Sequence, residues 1–404
     1  MGVFSPERVA AEARKSPPKK LAAVVTLYTH NSHADLIVGR LIEGYNLDGQ
    51  MPRPNLQLVS LYLDQITEKD KGRKLAAEHG VRLCDTIEKT LTLGGKDLAV
   101  DGVLLIGEHG KYPVSETGQT KYPRRRFFQE TVTVFRRSGR GVPVFTDKHL
   151  SWNWADAKWM YDTARELKIP LMAGSSLPGT WRRPPIDVTR GARLIEAVGI
   201  SYHTLDGYGF HALEMLECLC ERRRGGETGV SAVQCLEGPE VWKARAAGRF
   251  DANLFEAAWS RREGITKARL EESVPRPSAF LIEYRDGFRA TILTLNPVNG
   301  EWCIAWRETA EAEPRSTLFW TQEARPFGHF TFLVQGIDRM LQTGQPAWPV
   351  ERTLLTTGLL DALLTSRLRG GIRLETPHLA IKYQPTFEWS ETVAPPQGRP
   401  LDGQ

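Results

Sequence analysis

Short apolar runs alternate with helical segments along the first half of this chain, and no other feature constrains its fold as strongly. Residues 21–27, 56–63 and 100–106 have the length and the Val/Leu content of strands that are buried on both faces. A helix follows the first run, because Ser32 and Asp35 have the spacing of a capping box. Strands and helices in alternation predict a doubly wound parallel sheet of the Rossmann type.

The pattern changes after residue 178. A long predicted helix over residues 210–223 is followed by strand-like segments at hairpin spacing, and two further helices come near the end of the chain. The strand-like segments are residues 230–236, 279–284, 288–295, 302–307 and 316–320, and the closing helices are residues 328–342 and 350–369. Strands in series favour a mainly antiparallel open sheet, so we expect an α/β domain followed by an α+β domain.

The length of 404 residues also exceeds what one ordinary core organises, which again indicates two domains. We expect a polar lead over residues 1–20 and a Rossmann-like nucleotide-binding domain over residues 21–178. The stretch GTWRRPP, residues 179–185, has the composition of a crossing into the second domain, which we place at residues 179–383. Residues 384–404 are rich in Pro and Gly and are expected to form a loose tail.

The composition is typical of a globular protein and argues against a nucleic-acid-binding or membrane-spanning chain. Hydrophobic residues at 41% and charged residues at 25% are typical of a globular chain, and the net charge of +5 lacks the long basic stripe of a nucleic-acid surface. No apolar run approaches the roughly 20 residues that span a bilayer, and residues 1–20 lack a signal-peptide core, so we expect a cytoplasmic protein. Five scattered cysteines without CxxC spacing predict reduced thiols.

Three stretches carry a resemblance to the glucose-fructose oxidoreductase / inositol dehydrogenase (Gfo/Idh/MocA) family. Residues 142–149 (VPVFTDKH) resemble the family's strand and Glu-Lys-Pro motif, with Asp147, Lys148 and His149 at its three positions. Residues 209–214 (GFHALE) resemble its Gly-x-His-x-x-Asp motif, and residues 332–375 are similar to its closing helices. The resemblance covers nearly the whole chain.

This resemblance implies an activity and a site. It implies that a nicotinamide cofactor removes hydride from a sugar, glycoside or inositol while Lys148 orients the hydroxyl and His211 acts as general base. A base that titrates near neutrality and a second group to fix the hydroxyl are what alcohol oxidation requires. The resemblance further implies a homodimer or homotetramer built on the open face of the second sheet.

Topology adds further candidates, because ligands of open α/β sheets bind at the carboxyl ends of the strands. His109 follows the strand that ends at residue 106 and joins Lys148 and His211 as a candidate catalytic residue. Glu108 and Lys111 follow that same strand, and His30, Asn31 and His33 follow the first strand, residues 21–27. Tryptophans expected near the crevice, and suited to stacking on a sugar ring, are Trp152, Trp154, Trp159 and Trp181.

The phosphate loop departs from the family. A dinucleotide site places G-x-G-x-x-G after the first strand so that backbone can approach the pyrophosphate, whereas residues 26–35 (TLYTHNSHAD) contain no glycine. An NAD molecule would have to be held by side chains at this helix N-terminus and at the end of the second strand. The candidate NAD-binding residues are Thr29, Asn31, Ser32 and Asp64.

Three functions stay open on the sequence. The first is an NAD(P)-dependent oxidoreductase of a sugar or polyol, and the second is a cofactor-free or metal-assisted lyase or isomerase of similar substrates. A divalent metal would have nitrogen and oxygen ligands available, although their spacing has no metal-site signature. Those ligands are Glu108, His109, His149 and His211. The third is a binding protein that only senses a carbohydrate.

Overall fold

The computed structural model describes residues 17–263, 270–309 and 313–390, which form two sheets and the helices that cover them. Most of the predicted polar lead and the last part of the predicted tail lie outside the described residues. The described part of the tail is packed and not loose, because Phe387 contacts Trp348 and the indole N–H of Trp389 donates to the carbonyl of Thr180 at 2.8 Å.

The first sheet has six parallel strands in the order 3-2-1-4-5-6, as the alternating pattern predicts. Its strands are β1 (Lys19–Val25), β2 (Leu56–Leu63), β3 (Arg82–Cys84), β4 (Gly102–Ile106), β5 (Val144–Asp147) and β6 (Leu171–Gly174). The helices between them are α1 (His33–Glu43), α2 (Gly72–Glu78), α3 (Ile87–Thr92), α4 (Arg124–Arg137) and α5 (Trp154–Glu166). The central strands are apolar because helices cover both faces.

The second sheet has eight strands and is mainly antiparallel, with one parallel pair between β8 and β11. Its strands are β7 (Trp181–Arg183), β8 (Glu196–Ser201), β9 (Val230–Glu237), β10 (Ser278–Tyr284), β11 (Arg289–Thr294), β12 (Trp302–Arg307), β13 (Arg315–Trp320) and β14 (Leu374–Glu375). The predicted crossing at residues 179–185 therefore contains an edge strand, β7, which pairs with β13.

Helices lie on both faces of the second sheet. On one side are α6 (Gly207–Cys220) and α11 (Val350–Leu368), and α11 also reaches the first sheet. On the other side are α7 (Pro239–Ala246) and α8 (Ala252–Trp259), with Leu254 and Phe255 buried against β8, β12 and β13. The expectation of an open face available for oligomer contacts is therefore wrong, because the chain covers that face itself. The dimer or tetramer stays a prediction that requires another surface.

The closing helices return to the first sheet, as the resemblance implies. α10 (His329–Thr343) buries Phe330, Val334 and Ile337 against residues of β1 and α1. The short helical segments left are α9 (Leu270–Ser273) and two 3-10 turns, Leu177–Gly179 and Pro377–Leu379. Within the described ranges no helix has the length and apolarity to cross a membrane. None of the five cysteines forms a disulfide.

Candidate active site

A cavity of about 620 Å³ lies where the carboxyl ends of the parallel strands face the start of α6. It is the place that topology predicts for a ligand of this sheet. Six of the nine histidines of the chain line it, namely His33, His109, His149, His203, His211 and His329. Lys148 and Glu108 line it too, so all three predicted catalytic residues meet in one cavity between the two sheets. The predicted candidates His30 and Lys111 do not line it.

Lys148 is held at the end of β5 by an ion pair that is buried. Its backbone N–H donates to the carbonyl of Gly174 at 3.1 Å, and its Nζ donates to Oε1 of Glu108 at 3.0 Å. The other oxygen of Glu108 accepts from Nη2 of Arg124 at 2.7 Å. Burial alone would raise the pKa of the Glu108 carboxyl, but the charges of Lys148 and Arg124 hold that pKa well below its usual range. Glu108 is therefore a permanent anion that fixes the Lys148 ammonium beside the cavity.

His211 lies in the second turn of α6, the helix whose beginning faces the Lys148 ammonium. A Cβ placed on Gly207, one turn earlier, would lie 3.7 Å from Nζ of Lys148, so the ammonium sits at the beginning of this helix. Burial and then the charge of Lys148 lower the pKa of His211 well below its ordinary value. Its Nδ1 has no hydrogen-bond partner among the described residues. His211 is thus a neutral imidazole, the state in which it can accept a proton.

His33 and His109 stand together on the side of the first sheet. Nδ1 of His33 lies 2.7 Å from Oδ2 of Asp147, the last residue of β5. The ring of His33 makes an edge contact with His109 at 5.3 Å between centroids. Burial, followed by the charge of His33, lowers the pKa of His109 to about 4, so His109 is neutral at physiological pH.

His149 occupies the position where the resembling motif has proline. Its ring stacks on Phe210 at 4.7 Å, and its Nε2 lies 3.6 Å from Oδ1 of Asp206. Burial and the charge of Arg124 lower the pKa of His149. Asp206 also accepts from the backbone N–H of Thr120 at 2.9 Å, which ties the loop after β4 to the start of α6. His149 therefore bridges the two domains.

The predicted metal ligands all line the cavity without forming a ligand set. The two carboxylate oxygens of Glu108 already accept hydrogen bonds from Arg124 and Lys148. The ring of His149 already contacts Asp206 and Phe210. In the described part of the chain no three His, Cys, Asp or Glu side chains are placed to hold one metal ion.

An aromatic wall forms the side of the cavity that belongs to the second domain. Tyr208 stacks on Trp302 with 17° between the ring planes and 5.5 Å between centroids, and Tyr202 packs against both. His211 meets the same Trp302 edge-on at 5.8 Å. The tryptophans predicted for this role do not line the cavity. Trp159 stacks under Arg125, and Trp181 packs in the core between the second sheet and helices α7 and α8. Trp152 and Trp154 also lie outside the cavity.

Solved structures of similar fold cover almost the whole chain. GenD2 from gentamicin A biosynthesis, in complex with NAD, is 13% identical with a TM-score of 0.56, over 89% of this chain and 97% of that one. A myo-inositol dehydrogenase from Corynebacterium glutamicum is 10% identical with a TM-score of 0.53, over 89% and 98%. The WlbA dehydrogenase from Bordetella pertussis, with NADH and UDP-GlcNAcA, is 15% identical with a TM-score of 0.51, over 89% and 99%.

These structures confirm the predicted fold, a Rossmann-type parallel sheet followed by a mainly antiparallel sheet. Identities this low show architecture and leave the chemistry to the residues of the site. No protein-family model matches the chain, and no curated protein matches it by sequence.

The turn between β1 and α1 does not fit the pyrophosphate of a dinucleotide. The carboxylate of Asp35, fully buried in the first turn of α1, accepts the backbone N–H of Asn31 at 3.0 Å. Lys71 at 2.6 Å and Arg325 at 2.8 Å both pair with this carboxylate. The two cations also face Glu43, so the helix N-terminus has no surplus positive charge for a second anion.

The three predicted phosphate-binding residues at this turn are engaged by the chain itself. Ser32 caps α1: its Oγ donates to the carbonyl of Thr29 at 2.8 Å and accepts from the backbone N–H of Asp35 at 3.3 Å. The side-chain oxygen of Asn31 accepts from Arg325 at 3.2 Å. Each of the three candidates therefore stabilises the turn, and only Asn31 reaches the cavity.

The groove beside Asp64, where the ribose of NAD was expected, is bridged by the chain itself. Asp64 accepts from the hydroxyls of Tyr62 at 2.8 Å and Tyr112 at 2.7 Å, and from Arg126. The backbone N–H groups of Asp64, Gln65 and Lys71 donate to the carbonyls of Val25, Thr26 and Tyr28. The segments after β1 and β2, between which a dinucleotide would lie, are thus hydrogen-bonded to each other. These residues do not fit NAD in the pose that a Rossmann sheet gives it.

Left-handed backbone is concentrated around the cavity. Eight non-glycine residues of the described chain have a positive φ between 51° and 67°. Five of them line the cavity, namely Asn31, His109, Lys148, His203 and Phe327. Such conformations cost on the order of 1 kcal/mol or more each and are found preferentially at functional sites. Their position supports a functional cavity independently of any motif.

Proposed function

We propose that this chain is an enzyme that moves a proton on a carbohydrate next to a carbonyl group, without a dinucleotide, as an isomerase or lyase. The observation that carries the proposal is the pairing of a neutral His211 with the Lys148 ammonium at one end of α6. A neutral imidazole accepts a proton from carbon, and an adjacent cation stabilises the negative charge that then develops on the carbonyl oxygen.

The steps follow from these two side chains. The carbonyl oxygen of the substrate accepts a hydrogen bond from Lys148, whose ammonium keeps donors that Glu108 does not use. His211 takes the proton from the neighbouring carbon, and the C–H electron pair forms the carbon–carbon double bond of an enolate. For an isomerase, the hydroxyl on the deprotonated carbon passes its proton to the former carbonyl oxygen, and a proton returned to the former carbonyl carbon then gives the isomeric carbonyl compound. For a lyase, the enolate re-forms the carbonyl and expels a group from the next carbon together with its bonding electron pair, which gives an unsaturated product.

A carbohydrate suits the cavity for two reasons. The stacked rings of Tyr208 and Trp302 offer a flat apolar surface to the C–H face of a sugar ring, next to His211. The remaining lining is polar and rich in hydrogen-bonding groups, and 620 Å³ holds a mono- or disaccharide. Acid–base pairs of this kind need no oxidant, so the reaction is balanced without a cofactor.

Solvent exchange tests the proposal. The purified protein is incubated in D₂O, without added nucleotide, with a panel of aldoses, ketoses and glycosides that carry a keto group, and deuterium on carbon is measured by NMR. We expect exchange with at least one class, slowed at least about 100-fold by His211→Ala and unchanged by His79→Ala, an exposed histidine outside the cavity. Absence of exchange across the panel would overturn the proposal.

The second candidate is an NAD(P)-dependent oxidoreductase of a sugar or polyol. One observation favours it: the whole-chain likeness to dehydrogenases such as GenD2, which was solved with NAD. Calorimetry and thermal unfolding with NAD and NADP at millimolar concentration distinguish the two. Binding of either, with reduction of the nicotinamide when a polyol is added, would favour this candidate over the first. No heat and no thermal shift would remove it.

A further inference from the structure

We infer that His33, oriented by Asp147, is a second proton-transfer residue that completes the reaction begun by His211. The inference rests on the proposed function and adds a group to the same site. His33 is the first residue of α1 and His211 lies in the second turn of α6, so the two imidazoles enter the cavity from different domains.

The contact between His33 and Asp147 fixes the Nδ1 atom of the His33 ring. Asp147 is buried at the end of β5, and its Oδ2 lies 2.7 Å from Nδ1 of His33. Its other carboxylate oxygen is buried without a hydrogen-bond partner among the described residues. Among the described residues, His33 is therefore the hydrogen-bond partner of this buried carboxylate. With Nδ1 taken, Nε2 is the nitrogen that faces the cavity and can exchange a proton.

The ring of His33 is also held in place by packing. Phe330 meets it edge-on at 5.0 Å with 89° between the planes, and His109 meets it at 5.3 Å. Its side chain is 14% exposed, so it is confined but open to the cavity. A fixed imidazole with a carboxylate on one nitrogen and substrate space on the other is the arrangement of a general acid–base residue.

The charge of His33 reaches His211. When protonated, His33 is among the groups that lower the pKa of His211, after burial and Lys148. Burial and Lys148 are the larger causes that keep His211 neutral, and His33 is placed in the same cavity to return a proton. In the forward direction His211 removes the proton from carbon, and His33 gives a proton to the new carbon centre or to the leaving group.

The location explains why no glycine stands in this turn. In a dinucleotide-binding Rossmann protein the first turn after β1 keeps side chains small so that phosphate can approach. Here the residue that follows the same turn, His33, supplies an imidazole to the cavity. A residue that would obstruct a pyrophosphate is what the proposed chemistry uses.

Two readouts measured together test the inference. One is solvent deuterium exchange at the substrate carbon, which needs His211 and Lys148 but not His33, and the other is formation of product. For His33→Asn we expect exchange to stay within about threefold of wild type while product formation falls at least about 100-fold. His211→Ala should lose both. If His33→Asn makes product at the wild-type rate, the inference is wrong even where exchange supports the proposed function.

Asp147→Asn tests the positioning role separately. We expect product formation to fall about 10- to 100-fold with KM unchanged, and the double variant with His33→Asn to be no slower than His33→Asn alone, because the carboxylate acts through that ring. Asp162→Asn, which removes an exposed carboxylate on α5, is the matched control. Thermal unfolding of each variant shows whether it is folded. Additive losses in the double variant would overturn the coupling.

Discussion

The carboxylate of Asp35 accepts the backbone N–H of Asn31 at 3.0 Å, inside the turn that precedes α1. An anion at this position is what Rossmann proteins obtain from a bound pyrophosphate. In this chain the anion is a side chain, and Arg325 of the second domain pairs with it. The place of the cofactor in the common fold is thus taken by a permanent contact between the domains.

This contact predicts a stability effect. Asp35→Asn leaves Lys71 and Arg325 without the buried carboxylate that both of them pair with. We expect a loss of about 2 to 4 kcal/mol in the free energy of unfolding, measured by chemical denaturation at pH 7. Asp85→Asn, which removes the exposed partner of Lys89, should leave it nearly unchanged because solvent screens this pair. Equal effects of the two substitutions would contradict this assignment.

Glu214 predicts a loss of stability as the pH rises. Burial raises its pKa to about 7, against contacts that include the hydroxyl of Thr356 at 3.0 Å and the N–H of Ser175. Between the ordinary value near 4.5 and about 7 the folded state therefore binds more protons than the unfolded state, so stability falls across this window as pH increases.

Glu214→Gln removes this titration. The stability of the variant relative to wild type should rise by up to about 3 kcal/mol from pH 4.5 to pH 8, measured by denaturant unfolding at each pH. Glu166→Gln on exposed α5 surface serves as the control and should run parallel to wild type. A difference between Glu214→Gln and wild type that does not vary with pH would refute the assignment.

His109 predicts the opposite slope in acid. Its pKa of about 4 in the folded protein lies below the ordinary 6.5, so the unfolded state binds more protons in between. This contribution to stability is complete above about pH 6.5 and is lost as the pH falls towards 4. His109→Gln should therefore lose less stability than wild type between pH 6.5 and 4.5. The exposed His79→Gln variant should behave as wild type, and a parallel course for all three proteins would count against the buried neutral imidazole.

The aromatic wall predicts a split between binding and turnover. Tyr208→Leu removes the ring that stacks on Trp302 and should raise KM for the carbohydrate about tenfold with little change in kcat. Tyr208→Phe keeps the ring and should stay within about threefold of wild type. A larger effect on kcat than on KM would show that Tyr208 takes part in the chemistry rather than in binding the ring.

The sequence predicts the first sheet well because each central strand is a continuous apolar run between helices. It fails for α7 and α8, since the eight-residue helix Pro239–Ala246 buries only two side chains and gives a weak periodic signal. It also fails for β8, whose six residues include Glu196 and Gly199. Short elements that depend on tertiary contacts carry too little local pattern to be recognised.

The sequence likewise predicts some residues of the site and misses others. Lys148 and His109 could be placed because they follow predicted strands, and His211 because it starts a predicted helix. Arg325, the partner of Asp35, is 290 residues away along the sequence, and no local sequence pattern predicts this pair. The wall of Tyr208 and Trp302 is likewise formed by a helix and a strand that meet only in the fold.

The left-handed backbone at His109 and Lys148 has a consequence for engineering. Glycine adopts this conformation without penalty, so replacing either residue by glycine would relieve local strain at the backbone. At Lys148 the loss of the buried pair with Glu108 outweighs that relief, so selection for thermal stability alone would tend to erode the position of His109. A library of variants sorted for heat resistance alone should collect glycine there first, and such a result would mark a position held in a strained conformation before the substrate is known.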